Sequence, residues 1–135
     1  MRTWLKVVGG FAIVAVSFIT TNYILELRNT PERRDAQRVE DIKKLREAVR
    51  SYRRARNTFP TDLKLLVDSR FLDSMPVDPA TQKQYQYYSD GVNNFGLMVS
   101  LEQRHGDVAA GQSCRTGLGT KQSAMWGHDI AECPF

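Results

Sequence analysis

A chain of 135 residues with 41% hydrophobic residues accommodates at most one soluble domain beside a membrane anchor. A formal net charge of +4 is too mild to point to nucleic acid on its own. Only two cysteines are present, Cys114 and Cys133, and no Cys-x-x-Cys-His occurs, which excludes covalent c-type haem.

The first predicted element is an apolar helix from Val7 to about Leu25. About 19 residues at 1.5 Å each reach roughly 28 Å, enough for a bilayer core. Thr20, Thr21, Asn22 and Tyr23 suit the membrane interface at its far end. A cleaved secretory signal is the rival reading, but Ile19-Thr20-Thr21-Asn22 offers no small-x-small site. The expectation is a retained transmembrane anchor over residues 1–28. Arg2 and Lys6 before the span nearly balance Arg28, Arg33 and Arg34 after it. The short N-terminal tail favours the cytoplasmic side, and a cysteine pair favours an oxidising compartment for the C-terminus. Together they predict a single-pass protein of the bacterial inner membrane with residues 29–135 in the periplasm.

Asn29, Thr30 and Pro31 are start signals for a second helix running to about Arg56. Its apolar positions Ala36, Val39, Ile42, Leu45, Val49 and Tyr52 fall three or four apart and predict one narrow stripe laid on a sheet. Asp35–Arg38, Glu40–Lys44 and Glu47–Arg50 are spaced to pair along the exposed face. The helix ends in Arg50, Arg53, Arg54 and Arg56 with Tyr52 as its only aromatic, too few for a nucleic-acid stripe. A solvated basic face is the plain reading; anionic lipid near Arg28, Arg33 and Arg34, or an acidic partner, are the alternatives. Next come a short helix with Leu63, Leu66 and Val67, capped by Thr61 or Asp62, and a loop punctuated by Pro76 and Pro79. A hairpin follows, with Tyr85 and Tyr87 alternating on one strand and Phe95, Leu97, Val99 and Leu101 on the next. Ser89-Asp90-Gly91 opens its turn.

The candidate chemistry of the C-terminal segment is Cys114, Cys133, His105 and His128. The spacing Cys-x13-His-x4-Cys matches no standard zinc pattern, so a Cys114–Cys133 disulfide across a glycine-rich loop is the better reading. No Gly-x-Ser-x-Gly, phosphate loop or His-Glu-x-x-His occurs. Asp62, Asp68 and Asp73 read as caps and solvated loop residues. The chain is therefore expected to be non-enzymatic, with no cofactor, metal or small-molecule substrate.

Over about residues 34–102 the chain resembles type IV pilin-like proteins, and within them the major pseudopilin of type II secretion. The resemblance rests on order: a charged helix, Tyr52, the Phe59-Pro60 break, the Leu63–Leu72 segment, Pro76-Val77-Asp78-Pro79, then the tyrosine-rich hairpin to Leu101. It implies an α+β fold, a long N-terminal helix packed on a small antiparallel sheet, and no catalysis. Gly10-Phe11 looks like the family's processing junction. However, Ala15 stands where the fifth residue after the cut should be glutamate, and no acidic residue precedes Glu26. Because an intramembrane carboxylate is costly, a family retains one for a purpose, here assembly. Its absence implies an unprocessed chain beginning at Met1 or Arg2. The family's calcium site is not carried over, since only Asp107, Asp129 and Glu132 are available.

Two functions follow. In one, an accessory or structural subunit of a larger membrane assembly, such as a respiratory or photosynthetic complex, binds other membrane subunits and the bilayer. In the other, a divergent pseudopilin serves a type II secretion or type IV pilus system. For Gly9, Gly10 and Ala12, close helix–helix approach and lipid-facing filler are equal readings. Arg53, Arg54, Trp126 and Phe135 are the expected partner contacts, with Trp126 as a plug for the disulfide loop the alternative.

Overall fold

The computed structural model describes residues 30–118 and 130–135, together with Val16, Ser17 and Ile19. The first long element is α1, Pro31–Arg56. Thr30 Oγ1 accepts from the Arg33 N–H at 3.4 Å and Pro31 occupies the first turn, where its missing N–H costs nothing. Asn57 ends the helix in the left-handed region, φ 59°, and its N–H returns to the Arg53 carbonyl.

Ile42, Leu45 and Val49 are fully buried, and Tyr52 packs against the core, as the stripe requires. Its N-terminal half is different: Ala36 is exposed and Val39 half-buried, while Asp35, Arg38 and Asp41 go inside. Helical phase explains the correction. Stepping back from Ile42 by 3.6 residues per turn leads to positions 38 and 35, whereas 39 and 36 have rotated off the face. The Asp35–Arg38 pair, expected on the surface, is therefore buried. Glu40–Lys44 is exposed at 3.8 Å, and Glu47 pairs with Arg54 rather than Arg50.

Helix α2, Lys64–Asp68, is one short turn whose Leu66 is buried; Asp62 Oδ1 accepts from the Lys64 N–H. Four strands follow: β1 (Gln86–Ser89), β2 (Phe95–Ser100), β3 (Ser113–Leu118) and β4 (Ala131–Glu132), in that spatial order. β1 and β2 form the expected hairpin, Gln86 opposite Met98 and Ser89 opposite Phe95. β2 also pairs antiparallel with β3, but β3 pairs parallel with β4, so the sheet is mixed rather than wholly antiparallel. A parallel neighbour needs a connection of about a dozen residues, the length available between Leu118 and Ala131.

The result is α+β, one long helix over a small four-stranded sheet. Phe95, Leu97, Val99 and Leu101 point into the core that Ile42, Leu45 and Val49 close from above. Phe59, Leu63 and Leu66 seal one end, with the Phe59 and Phe95 rings 4.9 Å apart. Among the described residues no helix is long and apolar enough to cross a membrane; apart from Val16, Ser17 and Ile19, the expected anchor over 1–28 lies outside them.

Candidate functional site

A cluster of buried and half-buried charges joins α1 to the sheet. Arg38 donates from Nη1 to Asp35 Oδ1 at 2.8 Å and to Glu102 Oε1 at 2.6 Å, and from Nε and Nη2 to the two oxygens of Asp78. Asp35 also accepts from the backbone N–H groups of Glu102 and Gln103 at 3.0 and 2.7 Å, and Arg34 closes on the outer side of Glu102. The hydrogen bond from Arg34 outweighs the upward push of burial and, with Arg38, holds the Glu102 carboxyl down at about 2. Burial pushes Asp78 up, but Arg38 and the N–H groups of Thr81 and Ala80 outweigh it and hold it at about 2. A neighbouring polar contact runs from the Tyr85 hydroxyl to Asp41 at 3.0 Å. Burial, then the Asp41 charge, pushes the Tyr85 hydroxyl up, so it stays a donor. These groups satisfy one another, which makes a latch between helix and sheet.

Cys114 in the interior strand β3 is disulfide-bonded to Cys133, just beyond β4, with Cα atoms 5.0 Å apart. The bridge is flanked by a hydrogen bond from the Cys133 N–H to the Arg115 carbonyl at 2.8 Å. Phe135 is half-buried against the core, and its carbonyl accepts from Arg46 at 2.8 Å. Among the described residues no group of three His, Cys, Asp or Glu side chains could hold a metal ion. His105 lies in a tight turn closed by two backbone hydrogen bonds with Val108, while His128 and Asp129 fall outside the described residues.

Arg53 and Arg54 lie at the C-terminal end of α1, where the fold adds neighbours that the sequence did not suggest. With Arg50, they rim a cleft of about 220 Å³ floored by Phe59, Phe95 and Leu118. The Arg53 guanidinium stacks 4.4 Å from the Phe59 ring centroid and donates to the Val92 carbonyl at 2.5 Å. Gly9, Gly10, Ala12 and Trp126 lie outside the described residues, so the structure brings together only part of the expected contact set.

The Arg38 latch was missed because its members are scattered over residues 35–102. Its one local signal was phase: Asp35 and Arg38 sit on the backward extension of the Ile42–Val49 face. Phe59 and Leu118 were missed as companions of the arginines because only the tertiary fold places them there.

Comparison with protein-family models, with curated proteins and with solved structures finds no match.

Proposed function

We propose that the protein is a non-enzymatic, single-pass membrane protein whose pilin-like periplasmic domain acts as a structural or accessory subunit of a larger membrane assembly. The observation that carries the reading is the latch. It rigidly fixes a 26-residue helix, which follows directly on the apolar segment of the chain, to a small sheet. The acids and tyrosine that could support chemistry are spent in holding that geometry. A domain of this kind offers surfaces rather than a reaction centre. The order of long helix, Phe-Pro break, short leucine-rich helix, Asp78 turn and hairpin supports the likeness to pilin-like proteins.

That order equally supports a second reading, a divergent pseudopilin of a type II secretion or type IV pilus system. Ala15 in place of the family's glutamate favours the first. Purification of the full chain in mild detergent separates them. Co-purifying subunits of a bioenergetic or other membrane complex, with an intact mass starting at Met1 or Arg2, support the first reading. Secretin or filament components, with a mature chain starting at an N-methylated Phe11, support the second. A chain that leaves the membrane fraction alone under every mild condition overturns both.

A further inference from the structure

The cleft at the end of α1 combines features that solvation alone does not require. Arg50, Arg53 and Arg54 stand on one rim, and Arg56 follows in the same last turn. Glu47 forms an exposed ion pair with Arg54; Arg50 and Arg53 make none among the described residues. The Asp90 carboxylate forms no ion pair with them; its oxygens accept from the Val92, Asn93 and Asn94 N–H groups and from the Asn94 side chain. Arg53 is held in place by the Phe59 ring and the Val92 carbonyl. Beside this fixed charge lie two large apolar side chains in solvent, Val92 at 61% exposure and Leu118 at 50%. Preorganised guanidinium groups next to exposed apolar surface are the composition of an interface centre.

We propose that this cleft docks an acidic segment of a protein partner. One or two of its carboxylates meet Arg50 and Arg54, and an adjacent apolar side chain covers Leu118. The choice of an anionic partner follows from charge complementarity. The negative end of the helix dipole amounts to about half a charge, which four arginines outweigh. The Glu47–Arg54 pair is exposed at both ends and is readily exchanged for a partner carboxylate. The choice of protein over lipid rests on the reading of the N-terminal segment as an anchor. The cleft lies at the opposite end of α1, whose 26 residues span about 39 Å, from the end nearest that segment. A bilayer surface lies near Pro31, not near Arg54.

The test uses full-length protein in detergent micelles and a fluorescent peptide of four aspartates flanking one phenylalanine, followed by anisotropy. The expected result is saturable binding that weakens as salt rises. Arg50→Ala and Leu118→Asp should each weaken it by about tenfold, as should replacing the peptide's phenylalanine by serine. Arg33→Ala, an exposed charge at the far end of the helix, should leave it unchanged. Both cleft substitutions are at exposed positions, and an unaltered thermal midpoint shows that the fold is kept. Equal binding of wild type and both cleft variants overturns the inference, as does tighter binding to phosphatidylglycerol vesicles or single-stranded DNA than to the peptide. If the peptide fails while the chain stays in its membrane assembly, only this inference falls. If the peptide binds as expected while the chain purifies alone, the subunit reading falls and the docking site stands.

Discussion

Arg38 is a full charge with 4% of its side chain exposed, and beside it Asp35 is fully buried. Whether such a cluster adds net stability is decided by how completely it is paired, since desolvating each ion costs several kcal/mol. Here three carboxylates and two backbone N–H groups close the set. Removing the cation alone should therefore be far worse than removing a surface charge. Arg38→Met is expected to cost about 3–5 kcal/mol in urea unfolding, because Asp35 is left buried without its guanidinium. Arg33→Ala on the exposed face should move the midpoint little. The same residues set the acid limit. Asp78 and Glu102 titrate at about 2 in the folded chain, below the value of about 4 for an unfolded carboxylate. Lowered carboxyls contribute stability above the unfolded value and lose it as pH falls from about 4 towards 2. Asp41 acts in the opposite sense, because burial raises its carboxyl despite the Tyr85 hydrogen bond. With Asp78 and Glu102 lowered, Glu47 and Asp90 lowered as well and only Asp41 raised, acidification brings a net loss of stability. A thermal midpoint that holds between pH 6 and pH 2.5 contradicts this, and Arg38→Met should flatten whatever slope is found.

Among the elements, the β1–β2 connection is the most tightly prescribed by its residues. Asp90 Oδ1 accepts three successive backbone N–H groups, each at 2.9 Å, so one side chain organises the whole turn. Asn94 holds that carboxyl well below the usual carboxylate range through its side chain and N–H, helped by the N–H groups of Val92 and Asn93. Gly91 sits at φ +76°, yet a Cβ there meets nothing within 4 Å. The cost of Gly91→Ala is therefore backbone strain alone, about 1 kcal/mol, and Gly91→Asn should cost less because asparagine tolerates the left-handed region. Equal destabilisation by alanine and asparagine in urea melts contradicts that account. The turn also holds the segment that follows α1, since the Gly91 carbonyl accepts from the Phe59 N–H at 2.9 Å. Loosening it should therefore speed amide exchange at Phe59 as well as within the loop.

At the scale of the whole molecule, the described residues of the C-terminal segment add few fully buried apolar side chains. β4 has two residues, and β3 alternates poorly, with Cys114 its only buried side chain. The disulfide spans 19 positions and fastens this segment to the sheet. On the chain-entropy account a loop of that length contributes about 3 kcal/mol. The double variant Cys114→Ala, Cys133→Ala is expected to lose about that much in urea, and unreduced, unfolded protein should titrate no free thiol. Two free thiols in protein taken from its native compartment contradict both the bridge and the proposed periplasmic placement. Hydrophobic burial holds the rest: Leu45→Ala, at a fully buried position facing β2, should cost about 2–5 kcal/mol.

The sequence by itself determined the elements whose signals are local. Thr30-Pro31 started α1, Phe59-Pro60 followed its end, Asp90-Gly91 turned the hairpin, and the alternation from Phe95 to Leu101 set which face of β2 is buried. Caps, proline geometry and two-residue periodicity act over a few positions, so a linear reading recovers them. The Cys114–Cys133 bridge was also legible, since two cysteines allow a single pairing within the chain. Only the tertiary structure decided that Asp35 and Arg38 turn inward, that β4 runs parallel to β3, and that Phe59 and Leu118 lie under the arginines of α1. Each depends on partners tens of residues away. A charge is tolerated in a core only where distant carboxylates and backbone N–H groups converge on it, and no local pattern records that convergence.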